Sequence, residues 1–197
     1  MGAWLLGTVG FVLYFLYDIN SLKWNNRFFH CFFGVGTLVL CVSAVWSLSG
    51  VSFFSSTGLP LRILCGAGAI LFLILLIYTL FFALPFDETY VKENQGRKVY
   101  TEGMYALCRH PGVLWFAGLF LCLWGVTGDI HRWPYFVTMI VWDYIYVIFQ
   151  DIWTFPGTFT DYEEYKRKAP FLLPDRRSIR AALRGREKND RKEGGQR

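Results

Sequence analysis

Read from the first residue, the chain alternates long apolar runs with short polar ones. Residues 1–17, 28–61, 63–86 and 111–128 contain no Asp, Glu, Lys or Arg. An uncharged apolar run of roughly 18 residues or more suits a helix that crosses the hydrocarbon core of a bilayer. A span must be helical or part of a closed barrel, because lipid offers the backbone no hydrogen-bond partner. The pattern predicts five spans: Ala3–Tyr17, Phe28–Leu48, Pro60–Leu84, Gly112–Val126 and Pro134–Trp153, the last with one interior acid, Asp143. Pro60, Pro111 and Pro134 stand where predicted helices begin, the position at which a missing N–H costs least. The expected fold class is all-α: a polytopic membrane protein of about five transmembrane helices with a cytoplasmic C-terminal segment. Residues 1–174 form its membrane-embedded domain and 175–197 a basic, partly disordered cytoplasmic tail.

Composition agrees and excludes other classes. Of 197 residues, 54% are hydrophobic and 18% charged, against about 25% charged in soluble domains. A water-soluble enzyme, a coiled coil, a disulfide scaffold and a disordered chain are all excluded. The net charge of +5 is concentrated: twelve of the twenty Lys and Arg residues lie from Lys166 onward. That is a basic tail suited to anionic lipid, not a nucleic-acid-binding face. Eighteen basic residues fall on one side of the predicted spans, and Arg62 and Arg132 alone on the other. The positive-inside rule then puts the N-terminus outside and the C-terminus in the cytoplasm. The N-terminal run lacks a basic n-region and an A-x-A site, so it reads as a first helix and not a cleaved signal. Ser178 is a candidate cap for a short amphipathic helix in the tail.

The five cysteines include no C-x-x-C pair and the three histidines no H-x-x-x-H pair, so no metal is expected. Three clusters carry polar chemistry. Arg109-His110-Pro111 places a guanidinium and an imidazole directly before a helix start, whose free amides favour an anion. On composition alone the simpler account is that Arg109 is an interfacial anchor and His110 an interfacial residue. Asp143 lies near the middle of the fifth span, where a charge is costly. It is either functional or a protonated, hydrogen-bonded structural group. At 100° per residue Gln150 lies close to its face and Asp151 within about 80°. Tyr162 and Tyr165, followed by Lys166-Arg167-Lys168, fit an aromatic belt at the membrane boundary.

Taken together, these clusters resemble a known family. Gly103-Met104-Tyr105, Arg109-His110-Pro111, a hydrophobic hairpin, then Tyr162-Glu163-Glu164-Tyr165 and Ala169-Pro170 with Pro174 beyond are similar to the isoprenylcysteine carboxyl methyltransferase and phospholipid methyltransferase superfamily. The resemblance covers about Tyr100 to Pro174. The family's pattern has Tyr and Gly where this chain has Val113 and Trp115, a Glu pair at Gln150-Asp151, and Val at Ala169.

The resemblance implies an integral membrane enzyme that uses S-adenosylmethionine. It implies that Tyr105, Arg109, His110 and Pro111 form part of the cofactor pocket, and that Gln150, Asp151, Tyr162 and Tyr165 close it from the other side. Arg109 and the helix amides suit the cofactor's carboxylate. Asp151 suits its ammonium or ribose hydroxyls, and the tyrosines suit adenine or the sulfonium. The implied reaction is methyl transfer to a lipophilic acceptor at the membrane, a prenylcysteine carboxylate, a phospholipid amine or an apolar thiol. Positioning and water exclusion would be the main contributions. The competing expectation, favoured by Val113, Trp115 and Gln150, is a non-catalytic scaffold or degenerate relative. A small transporter would rest on Asp143 alone.

Overall fold

The structure is a computed structural model describing residues 2–50, 58–82, 98–180 and 182–183. Lys92 and Arg97 of the long polar loop lie outside the described residues, as do Arg184, Arg186 and the tail expected to be disordered. Among the described residues the regular structure is all helical. In chain order the helices are α1 (Gly2–Ile19), α2 (Phe32–Leu48), α3 (Leu59–Ile77), α4 (Met104–Leu107), α5 (Pro111–Thr127), α6 (Trp133–Phe149), α7 (Phe155–Thr158) and α8 (Tyr162–Lys168).

Three helices continue through a wider π turn: Asn20–Trp24 after α1, Tyr78–Phe82 after α3 and Gln150–Thr154 after α6. The continuous apolar helices become Gly2–Trp24, Arg27–Leu48, Leu59–Phe82 and Ile130–Thr158, of 23, 22, 24 and 29 residues. About 20 residues cross a bilayer core, so all four are long enough. Pro111–Thr127 is equally apolar but has 17 residues, about 26 Å at 1.5 Å each. The protein is an all-α polytopic membrane protein. Large apolar side chains such as Leu38, Val45, Leu64 and Ile70 are exposed, the surface expected of helices bathed in lipid. Ala69 is the single buried residue of α3.

The chain divides into two compact units. One is Met1–Ile74 with Trp115–Thr154; the other is Leu75–Leu114 with Phe155–Arg197.

In the first unit α1 and α2 reverse direction at Asn20. Its buried amide donates to the Asn26 carbonyl at 3.0 Å and accepts from the Asn26 N–H at 2.9 Å. Asn25 between them is left-handed, with φ 47°, a conformation Asn tolerates. The two helices approach backbone to backbone at glycines. A Cβ on Gly10 would lie 3.1 Å from the Gly36 carbonyl oxygen, and one on Gly36 2.9 Å from that of Gly10. Small residues permit such approach in membranes, where packing replaces the hydrophobic drive. Phe11, Phe136 and Met139 fill the core. Ser43 donates to the Ala3 carbonyl at 2.6 Å and bonds the Tyr135 hydroxyl at 2.8 Å. Arg62 and Arg132 donate to carbonyls at helix ends, Val126 at 2.9 Å and Ser47 at 2.6 Å.

The second unit contains α4, α7 and α8. Gly103, with φ 59°, turns the chain into α4, a conformation nearly free for glycine. The Asp161 carboxylate accepts the Val99 N–H at 2.8 Å and fixes the segment before α4. The expected cap changes identity. Helical residues begin at 176, and Asp175 is the cap, its carboxylate accepting the Ser178 N–H at 2.7 Å. Ser178 returns the bond, its hydroxyl accepting the Asp175 N–H at 3.0 Å. This is the reciprocal capping arrangement, with Ser178 at the third helical position. The Ser178 N–H holds the Asp175 carboxyl below its usual range.

Candidate functional site

Six of the eight residues implied by the resemblance lie in the second unit, and the fold ties them together. The Arg109 backbone N–H donates to the Pro170 carbonyl at 2.9 Å, and that of His110 to Phe171 at 3.2 Å. The Arg109 guanidinium donates to the Ala169 carbonyl at 2.7 Å and to Lys166 at 3.3 Å. These carbonyls end α8 and lack helical partners, and a cation is favoured there by the helix dipole. The guanidinium also sits 5.6 Å from the Phe171 ring centroid. Arg109 is therefore a clamp between two segments about sixty residues apart in sequence, a role beyond the two expected for it.

His110 is buried. Its ring stacks on Phe155 at 5.7 Å and meets Phe171 edge-on at 4.9 Å. Its Nε2 lies 3.5 Å from the Tyr162 hydroxyl, the outer limit of a hydrogen bond. Pro111 opens α5 directly behind it. Tyr162 and Tyr165 are 2% and 4% exposed, so they are core residues and not members of an aromatic belt. The Tyr165 hydroxyl donates to the Tyr105 carbonyl at 2.7 Å, and the Tyr105 hydroxyl donates to the Thr79 carbonyl at 3.0 Å. Tyr105 and Arg109 are half-buried and reachable. In a cofactor site Arg109 would make the contact, and Tyr162 and Tyr165 would hold its frame.

α8 carries opposite charges on its outer face. Lys166 pairs with Glu163 at 2.9 Å and Lys168 with Glu164 at 2.5 Å. Lys168 holds the Glu164 carboxyl below its usual range, although exposed pairs of this kind stabilise little. Cys108, one residue before Arg109, is buried, and burial pushes its thiol upward. A thiol kept protonated is a poor nucleophile. Cys108 is expected to resist maleimide in the native protein and to react after denaturation in SDS. Mass spectrometry of the labelled protein checks this.

Gln150 and Asp151 belong to the first unit, at the π turn below α6. Gln150 donates to the Asp18 carboxylate at 3.0 Å and to the Tyr146 hydroxyl at 2.8 Å. Thr154 donates to the same Asp18 oxygen at 3.2 Å. Asp151 is buried. Asp18, itself buried, was not expected in any site. Its sequence signal is that it is the first charge after a 17-residue apolar run, and such acids usually mark the water edge. Asp143 has a side-chain oxygen with no solvent contact and no hydrogen-bond partner among the described residues.

Comparison with family models, with curated proteins and with solved structures returns no match.

Proposed function

We propose that this chain is a membrane methyltransferase that uses S-adenosylmethionine to methylate a lipophilic acceptor, in keeping with its resemblance to the isoprenylcysteine and phospholipid methyltransferases. One observation carries the reading. Tyr105, Arg109-His110-Pro111 and Tyr162/Tyr165, widely separated in sequence, are bonded into one knot within the second unit. The residues fit the cofactor in kind: a half-buried guanidinium for a carboxylate, beside the aromatic rings of His110, Phe155 and Phe171.

S-adenosylmethionine supplies an activated methyl group on a sulfonium. Arg109 would bind the carboxylate end and fix its register, while its bonds to Ala169 and Lys166 keep the guanidinium aimed. The buried rings of His110, Tyr162 and Tyr165 exclude water from the frame behind it. The acceptor is a membrane lipid or a lipophilic small molecule, and the basic tail engages anionic lipid.

Titration of S-adenosylmethionine into the full chain in detergent, read by calorimetry, tests the reading. Saturable binding, weakened by Arg109→Ala, is expected; absence of binding at millimolar cofactor contradicts it. With α5 counted as a crossing, the distribution of basic residues supports a cytoplasmic C-terminus. A C-terminal reporter active only outside the cytoplasm overturns that orientation. A second reading, a non-catalytic scaffold, draws on the fact that Arg109 and Gln150 already hold protein partners. It predicts no cofactor binding.

A further inference from the structure

Asp143 poses a problem that the methyl-transfer reading does not use. It lies near the middle of the 29-residue apolar helix Ile130–Thr158, and it is the only charged residue in 133–150. Its Oδ2 meets neither solvent nor a hydrogen-bond partner among the described residues. A carboxyl at this depth is costly and persists where something pairs with it.

The surroundings say what kind of group fits. Asp143 is on the α6 face that carries Met139, Tyr146 and Val147, all buried. The Tyr14 hydroxyl of α1 is engaged with Thr37 at 3.0 Å. The Tyr14 and Tyr146 rings stack at 5.4 Å, and Trp142 stacks on Phe11 at 6.3 Å. The Lys and Arg residues of this unit sit at helix ends. Lys23 lies over the Trp153 ring at 5.9 Å, and Arg62 and Arg132 are bonded to carbonyls. The missing partner is thus not a basic side chain of the described unit. Aromatic faces beside a carboxyl are favourable to an ammonium, which gains cation–π attraction and a charge-assisted bond together. A neutral hydroxyl gains only a single ordinary bond.

We propose that the unpartnered Asp143 carboxyl, on the α6 face that carries Tyr146 with Tyr14 stacked upon it, binds the ammonium head of a lipid-soluble amine at mid-membrane depth. The site involves no residue of the Arg109 knot and does not rest on methyl transfer.

The full chain in a maltoside detergent is melted with increasing dodecylammonium, dodecanol or dodecanoate. The amine raises the melting temperature saturably and the other two do not. Asp143→Asn requires at least about ten times more amine for the same shift, the loss expected when a charge-assisted bond is removed. An equal shift with dodecanol, or an unchanged response in Asp143→Asn, overturns the proposal. Should that variant fail to fold, photolabelling of the wild type with a diazirine-bearing alkylammonium decides. Label within residues 10–18 and 139–147 supports the site; label confined elsewhere refutes it. A wild-type dimer that becomes monomeric with Asp143→Asn also overturns it, since a second copy then supplies the partner.

Discussion

Arg109→Ala is expected to lower the stability of the protein by about 2–3 kcal/mol and to weaken S-adenosylmethionine binding by tenfold or more. The side chain donates to two carbonyls at the end of α8, Ala169 at 2.7 Å and Lys166 at 3.3 Å. Bonds from a charged donor are worth about 1.5–3 kcal/mol, and the loss is greater when an acceptor is left unsatisfied. Tenfold in affinity corresponds to about 1.4 kcal/mol. Arg109→Lys keeps the charge but not the planar fork, so it should recover part of the affinity and little of the clamp. Thermal melting and calorimetry on the three proteins separate the two roles. A stability loss with unchanged cofactor affinity would leave Arg109 as a clamp alone.

Tyr162→Ala should be the most disruptive single change in the second unit, costing about 3–5 kcal/mol, the range for deleting a large buried aromatic. Tyr162 is 2% exposed and packs edge-on to Phe155 at 5.5 Å and to Tyr165 at 6.0 Å, with Phe159 stacked at 6.5 Å. Tyr162→Phe keeps the ring and removes the 3.5 Å contact with His110, which is at the outer limit of a hydrogen bond, and should cost less than Tyr162→Ala. Equal destabilisation by both changes would mean that the hydroxyl, and not the ring, holds His110.

The spans were legible because lipid imposes one strong rule: charge is kept out of long runs. The predicted spans Phe28–Leu48, Pro60–Leu84 and Gly112–Val126 match the helices Arg27–Leu48, Leu59–Phe82 and Pro111–Thr127 to within two residues at each end. The first helix runs past the apolar run 1–17 and continues to Trp24. Asp18 looked like the water edge, yet it stays helical and buried because Gln150 and Thr154 donate to it from more than a hundred residues away. No local pattern carries that information. The angular estimate for Gln150 and Asp151 assumed a continuing α-helix, whereas the backbone widens to a π turn after Phe149 and the rotation per residue changes. The tyrosines of α8 were ambiguous for a similar reason. Spacing of three puts Tyr162 and Tyr165 on one face, but only their contacts with Tyr105 and His110 reveal that the face points inward. Ser178 was recognised as a capping residue; Asp175, three residues earlier, takes the cap itself.

The proposed reaction is methyl transfer to a lipophilic acceptor, and the measurement closest to it is isotopic. Membranes containing the full chain, and membranes without it, are incubated with S-adenosylmethionine labelled in the methyl group and then extracted into organic solvent. Label in the organic phase that requires the protein and falls sharply with Arg109→Ala is the predicted result. Equal label with and without the protein, in membranes where the chain is folded and abundant, would contradict it.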